Sequence, residues 1–120
     1  MELFRKTTNI CKICGKNVEP DFYISDVELC VSCGIKLECD IKNWQEQIPY
    51  YQKKANFETD ASTKISYLTT ILGMLYDYKI RYFDKDFKIF EFDIYDKIDQ
   101  VIDAISYARI ECEKYTYRRH

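Results

Sequence analysis

The sequence predicts an α+β fold, with a small β-hairpin and helix near the N-terminus followed by an antiparallel helical hairpin. Three observations carry this prediction. Four cysteines form two close pairs, two later segments repeat apolar residues at helical spacing, and roughly ten residues separate those segments. We expect a cysteine-rich module over residues 1–45 and a helical domain over residues 46–120.

The cysteine pairs have the spacing of a tetrahedral zinc site. Each pair encloses two residues, and fifteen residues separate the pairs; the cysteines are Cys11, Cys14, Cys30 and Cys33. Two intervening residues let a tight turn direct both sulfurs at one point, where four thiolates can bind one Zn²⁺. Gly15 and Gly34 follow the pairs and permit the left-handed backbone that closes such a turn. These four cysteines are the predicted ligands of one structural zinc ion.

Two disulfides and an iron–sulfur cluster are the alternatives for the same cysteines. No secretory signal precedes Cys11, which favours a reducing, cytoplasmic location and free thiols. The common iron–sulfur motifs have different spacings. The longest uncharged run, residues 65–76, has 12 residues and is too short to cross a bilayer.

The residues around the second pair predict a hairpin and then a helix. Residues 18–24 and 27–29 are β-prone on either side of Ser25-Asp26. Helical spacing follows Cys33, in Ile35, Leu37, Ile41 and Trp44. Pro49 is expected to end or kink this helix, with a further turn or two over residues 50–57.

One stretch resembles a known family of zinc fingers. Its residues are Glu28-Leu29-Cys30-Val31-Ser32-Cys33-Gly34-Ile35, similar to the run that opens the helix of a GATA-type finger. The resemblance covers about residues 11–40, a third of the chain. It implies a treble-clef fold in which the four paired cysteines bind the metal.

Two further helices are predicted in the second half. Thr59 and Asp60 are capping residues, and a helix over about residues 60–82 follows, with the stripe Ile65, Leu68, Ile71, Leu72, Leu75, Tyr76, Tyr78 and Tyr82. A second helix, over about residues 94–116, begins after Asp93 and has the stripe Ile94, Ile98, Val101, Ile102, Ile105, Ala108 and Cys112. Helices joined by a short connection pair antiparallel.

The segment from residue 76 to 95 is unusually aromatic. Eight of its residues are tyrosine or phenylalanine, interleaved with charges. A two-helix core cannot easily bury all of them, and exposed aromatic rings are enriched at protein interfaces. The candidate partner-binding residues are Tyr78, Tyr82, Phe87 and Phe90. The alternatives are that these rings form the core or are buried in a homodimer.

Cys39 and Trp44 have two interpretations each, whereas Cys112 has one. Cys39 is either a spare ligand or redox thiol, or a half-buried helix residue, and Cys112 is expected in the core. Trp44 is either a packing anchor between the zinc module and the helices or an exposed binding residue.

Composition argues against catalysis. The single histidine is His120, the chain has three glycines, and no nucleotide-binding or metalloprotease motif occurs. Four thiolates would also leave zinc no open position for water. We therefore expect no enzymatic activity.

The expected function is binding of another protein, as a regulator, adaptor or inhibitor. The net charge of −2 disfavours strong non-specific binding of nucleic acid. The alternative is a nucleic-acid-binding regulator that uses the zinc finger and the basic ends of the chain. The abundance of Ile, Lys and Tyr is similar to that of phage and mobile-element proteins from low-GC bacteria.

Overall fold

The computed structural model describes residues 9–118, with side chains described for residues 9–114. Its elements are strands β1 (Tyr23–Ile24) and β2 (Leu29–Cys30) and helices α1 (Val31–Phe57), α2 (Ala61–Arg81) and α3 (Ile94–Arg118). Short 3-10 turns occur at Pro20–Phe22 and Phe83–Lys85. The predicted α+β class is confirmed, and the fold is mostly helical. The chain divides into two compact units, Met1–Lys42 and Asn43–His120.

The predicted hairpin is present but shorter than the β-prone sequence around it. Tyr23 lies opposite Cys30, and Ile24 lies opposite Leu29, in an antiparallel pair. Residues 18–22 do not form a strand, because proline fixes φ and lacks the N–H that a ladder needs, and Pro20 instead begins a 3-10 turn. The hairpin therefore consists of two residue pairs, and the two residues on β2, Leu29 and Cys30, are buried.

Pro49 does not end α1, which continues for two more turns to Phe57. Proline inside a helix removes one hydrogen bond and costs about 3 kcal/mol. Pro49 is exposed, so water can bind the carbonyl that it leaves without an N–H donor. The residues beyond it bury Ala55 completely, which favours continuation of the helix.

The predicted stripes on α2 and α3 largely form the core of the 43–120 unit, and the two helices pack against each other. The buried members are Leu68, Ile71, Leu75, Tyr78, Tyr82, Ile94, Ile98, Val101 and Ala108. Tyr76 and Ile102 lie at the edges of the stripes and are exposed, and Cys112 is half-buried. None of the described helices combines the length and apolarity needed to cross a membrane.

Both predicted helix starts have an aspartate cap. Asp60 Oδ2 accepts hydrogen bonds from the backbone N–H of Thr63 at 2.9 Å and from its hydroxyl at 2.7 Å. These two bonds stabilise the carboxylate and lower the pKa of Asp60. Asp93 Oδ1 accepts in the same way from the N–H groups of Tyr95 and Asp96 at 2.9 and 3.1 Å. Each cap satisfies N–H groups that have no partner within the helix.

Trp44 is 3% exposed and lies in an aromatic cluster at the core of the 43–120 unit. Its ring packs edge-on against Tyr78 and Tyr82, with centroids 6.2 and 5.7 Å away. The Tyr78 hydroxyl accepts hydrogen bonds from the N–H groups of Ile89 at 2.9 Å and Phe90 at 3.5 Å. The buried polar end of Tyr78 thus holds the connection between α2 and α3 in place.

The prediction that Tyr78 and Tyr82 bind a partner was wrong. They are 1% and 2% exposed and belong to the core. The expectation assumed a core of two helices, whereas the second half of α1 adds Trp44, Ile48 and Ala55 to it. Phe87 and Phe90 are half-buried, and the Phe90 ring contacts Tyr78 with centroids 5.1 Å apart.

Tyr78→Phe is expected to lower the free energy of unfolding by about 1 kcal/mol, because the N–H of Ile89 loses its acceptor while the ring stays. Chemical denaturation of the metal-loaded protein measures the change. Tyr107→Phe is the matched control, since Tyr107 is 72% exposed and should leave the unfolding midpoint unchanged. Equal midpoints for both variants would contradict the role of the hydroxyl.

Candidate metal centre

The four paired cysteines converge on one point. Their Sγ atoms all lie within 4.8 Å of one another, and those of Cys14 and Cys30 are 3.9 Å apart. Metal–sulfur bonds of about 2.3 Å in a tetrahedron place neighbouring sulfurs about 3.8 Å apart, whereas a disulfide needs about 2.05 Å. All six cysteines are free thiols. The arrangement therefore fits a four-coordinate metal ion.

The first pair lies in a tight turn with the predicted glycine conformation. Gly15 has φ +77°, and its N–H donates to the carbonyl of Cys11 at 2.9 Å. The N–H of Cys14 points at the Cys11 sulfur at 3.5 Å, and the N–H of Cys11 donates to the carbonyl of Lys16. This backbone ring directs both sulfurs to the same side and satisfies the backbone groups of the turn.

The second pair is set by the junction of β2 and α1. Cys30 ends β2, Cys33 lies in the first turn of α1, and the N–H of Cys33 points at the Cys30 sulfur at 3.3 Å. Gly34 does not adopt the predicted left-handed backbone. A Cβ at this position would lie 2.6 Å from Ile24 Cδ1, the end of a flexible and exposed side chain, so a larger residue would require only that side chain to move.

One backbone hydrogen bond links the two halves of the site. The N–H of Lys12 donates to the carbonyl of Glu28 at 2.9 Å, and Glu28 has the left-handed φ of +56°. The turn of the first pair is thereby joined to the hairpin that carries the second pair. The ion pair between the same two side chains, at 3.8 Å, is solvent-exposed and adds little.

The sulfurs of Cys11 and Cys33 differ in acidity. Burial raises the pKa of Cys11, but hydrogen bonds from the N–H groups of Cys14, Cys30 and Ile13 and from the Cys33 thiol together lower it to about 6. Burial and hydrogen bonds with the other three thiols raise the pKa of Cys33 to about 12. Hydrogen bonding therefore favours the thiolate form at Cys11, whereas burial favours the protonated form at Cys33.

The two remaining cysteines lie outside the cluster. Cys39 is exposed on α1, and Cys112 is half-buried on α3. Within residues 9–118, the cluster of four cysteines is the one group of three or more His, Cys, Asp or Glu side chains close enough to share a metal ion.

A groove beside the cluster is a feature that sequence reasoning missed. It has a volume of about 600 Å³ and is lined by Cys14, Lys16, Val18, Phe22, Cys30, Val31, Ser32, Cys33 and Ile35. Phe22 is 60% exposed and Ile35 is 57% exposed. Phe22 lies in the 3-10 turn, and Ile35 lies two residues after Cys33. The sequence does not show that both side chains are exposed, because their exposure depends on how the turn and the helix face one another.

The chain matches no protein-family model, no curated protein and no solved structure. The assignment of the site therefore depends on its geometry and chemistry.

Replacing any one paired cysteine by serine is expected to lower metal affinity strongly, because a neutral hydroxyl replaces a thiolate ligand. Cobalt(II) titration checks this through the thiolate-to-cobalt charge-transfer absorption. Cys14→Ser and Cys33→Ser should lose that absorption, whereas the controls Cys39→Ser and Cys112→Ser should keep it. Full absorption in Cys14→Ser would contradict the four-sulfur site.

Metal affinity is expected to decrease as the pH is lowered, and this decrease is expected to be steeper below about pH 6. Each proton that binding displaces lowers the affinity about tenfold per pH unit. Above the Cys11 pKa of about 6, that sulfur is already a thiolate, so metal binding displaces no proton from it. Below that pH, metal binding must also displace the proton of Cys11. Competition with a chromophoric chelator between pH 5 and 7.5 measures the slope. A slope that stays constant through pH 6 would contradict the acidity assigned to Cys11.

Proposed function

We propose that the cysteine cluster binds one structural zinc ion in a treble-clef-type module, and that the protein acts by binding another protein. Four soft thiolates in a tetrahedral arrangement suit Zn²⁺. Bound there, the ion would fix the positions of the two turns that carry the cysteines. Because four protein ligands would fill its coordination shell, we propose no catalytic role for it.

A structural role is supported by how little else the N-terminal unit buries. Among residues 9–42, the buried side chains are Cys11, Leu29 and Cys30. One leucine and two cysteines are too small a core to offset the loss of chain entropy. Structural zinc contributes about 10–16 kcal/mol in small modules of this kind, which is enough to fold such a segment.

The treble-clef assignment is supported by the order of the elements. The tight turn of the first pair comes first, the β1–β2 hairpin follows, and α1 begins at the second pair. This is the order that the resemblance to GATA-type fingers implies.

The observation that carries the protein-binding proposal is the apolar groove next to the cluster. Phe22 and Ile35 are both more than half exposed there, on a framework that zinc would hold rigid. Large apolar side chains around one cavity are typical of a contact surface, since burying them against a partner is favourable. The partner is therefore expected to insert an apolar side chain into this groove.

Charge favours a protein over a nucleic acid as the partner. Residues 9–42 contain four lysines and six carboxylates. A zinc ion with four thiolates would add two further negative charges. A phosphate backbone would be repelled by such a surface. Of the basic residues at the two ends, Arg5, Lys6, Arg119 and His120 lie outside the described residues.

The double substitution Phe22→Ser and Ile35→Ser is expected to lower partner capture at least about tenfold, because both apolar contacts are lost. Metal-loaded protein would be used to capture proteins from its native cells, with quantitative mass spectrometry as the readout. Tyr107→Ser is the control of similar exposure outside the groove. Zinc content and circular dichroism confirm that each variant is folded.

Two outcomes would overturn the proposal. One is a set of captured proteins that is unchanged by the double substitution. The other is retention of single-stranded or duplex DNA at low salt that weakens steeply as salt is added, which would favour a nucleic-acid-binding role.

A further inference from the structure

A second groove lies entirely within the 43–120 unit. It has a volume of about 490 Å³ and is lined by Tyr50, Lys53, Lys54, Phe57, Glu58 and Tyr67. These residues come from the last two turns of α1, the connection after it and the first half of α2. None of them is needed for the metal site.

The walls of this groove are aromatic and fixed by ring contacts. Phe57 is 77% exposed and Tyr50 is 52% exposed. The Tyr50 ring packs edge-on against Tyr51 at 5.1 Å, and Tyr51 contacts Tyr67 at 6.0 Å. Single exposed apolar residues are common, but three aromatic rings around one cavity form a surface suited to an inserted apolar side chain.

The rim of the groove is positively charged. Lys53 and Lys54 are exposed, and within the described residues neither forms a salt bridge. Lys54 Nζ lies 5.5 Å above the Tyr50 ring, which keeps its charge at the edge of the groove. The single acid, Glu58, uses Oε1 to accept the N–H groups of Thr59 and Asp60, both at 3.1 Å. A local excess of cations on a chain of net charge −2 favours an anionic ligand.

We propose that this groove binds an acidic peptide segment that carries one aromatic side chain. The ring enters between Tyr50, Phe57 and Tyr67, and carboxylates on either side pair with Lys53 and Lys54. Resting on the proposed protein-binding function, this inference names the chemistry of a segment of the partner.

A peptide fits the groove better than a single-stranded nucleic acid. Nucleic-acid grooves combine stacking rings with a continuous basic track for the backbone. Here two lysines flank one cavity, and the chain as a whole repels a polyanion. A peptide with a few carboxylates experiences that repulsion far less.

The test uses the zinc-loaded full chain labelled with ¹⁵N and a synthetic peptide with one central tryptophan and one glutamate on each side. Amide chemical shifts are expected to move in residues 50–58 and around Tyr67. Matched peptides replace the tryptophan by alanine or all glutamates by glutamine, and both should bind more weakly. A thymidine octanucleotide is the nucleic-acid probe.

Variants locate the binding. Phe57→Ser should weaken binding of the acidic peptide on the order of 30-fold, and the pair Lys53→Gln and Lys54→Gln about tenfold. The lysine pair should leave the glutamine peptide unaffected. Tyr107→Ser and Lys88→Gln are the controls, since both residues are exposed elsewhere in the same unit.

Three results would overturn the inference. They are no shift in residues 50–58 with the acidic peptide, equal binding of the acidic and glutamine peptides, and tighter binding of the octanucleotide to the same residues. None of these three results bears on the proposed groove at Phe22 and Ile35. If the peptide fails while capture through that groove succeeds, only the second site is lost; if capture fails as well, the protein-binding function is lost.

Discussion

The convergence of four sulfur atoms is the constraint on which the N-terminal unit depends. Its two turns and two-residue strands bury almost nothing apart from Leu29, Cys11 and Cys30. Backbone N–H groups point at the sulfurs of Cys11 and Cys30, where they would stabilise the negative charge of metal-bound thiolates. Burial raises the pKa of Cys11, but hydrogen bonds from the N–H groups of Cys14, Cys30 and Ile13 outweigh it, lower that pKa and favour the thiolate. A metal ion bound to the four sulfurs would supply the stabilisation that the small buried core of this unit lacks.

The helical unit has a different source of order, a conventional apolar core. Its centre is the edge-on contact of Trp44 with Tyr78 and Tyr82, which buries three large rings. Tyr78 can be buried because two backbone N–H groups bind its hydroxyl. The same hydrogen bonds fix the position of the aromatic connection between α2 and α3. The aromatic rings of this connection are buried or half-buried, so they do not form a free binding surface.

The two proposed binding surfaces differ in chemistry. The groove beside the cysteine cluster is apolar in a unit with more carboxylates than lysines, whereas the groove at Tyr50 and Phe57 is aromatic with a basic rim. Neither surface needs a catalytic group, and both expose side chains that are favourable to bury. A protein that works by occupying surfaces of a partner needs rigid exposed side chains more than it needs reactive ones.

The sequence by itself determined the features that depend on local spacing. The cysteine pattern identified the four sulfurs that converge, because two intervening residues keep the sulfurs of each pair close enough to share one ion. Helical periodicity and two aspartate caps located α2 and α3 to within a few residues. Only the tertiary structure decided the fate of side chains whose neighbours are distant in the chain. Helix α1 packs Trp44 against Tyr78 and Tyr82, so two predicted binding residues are part of the core. Phe22, Ile35 and Phe57 are exposed because no other element within residues 9–118 covers them. Burial is a property of the packed elements together, and no local pattern can specify it.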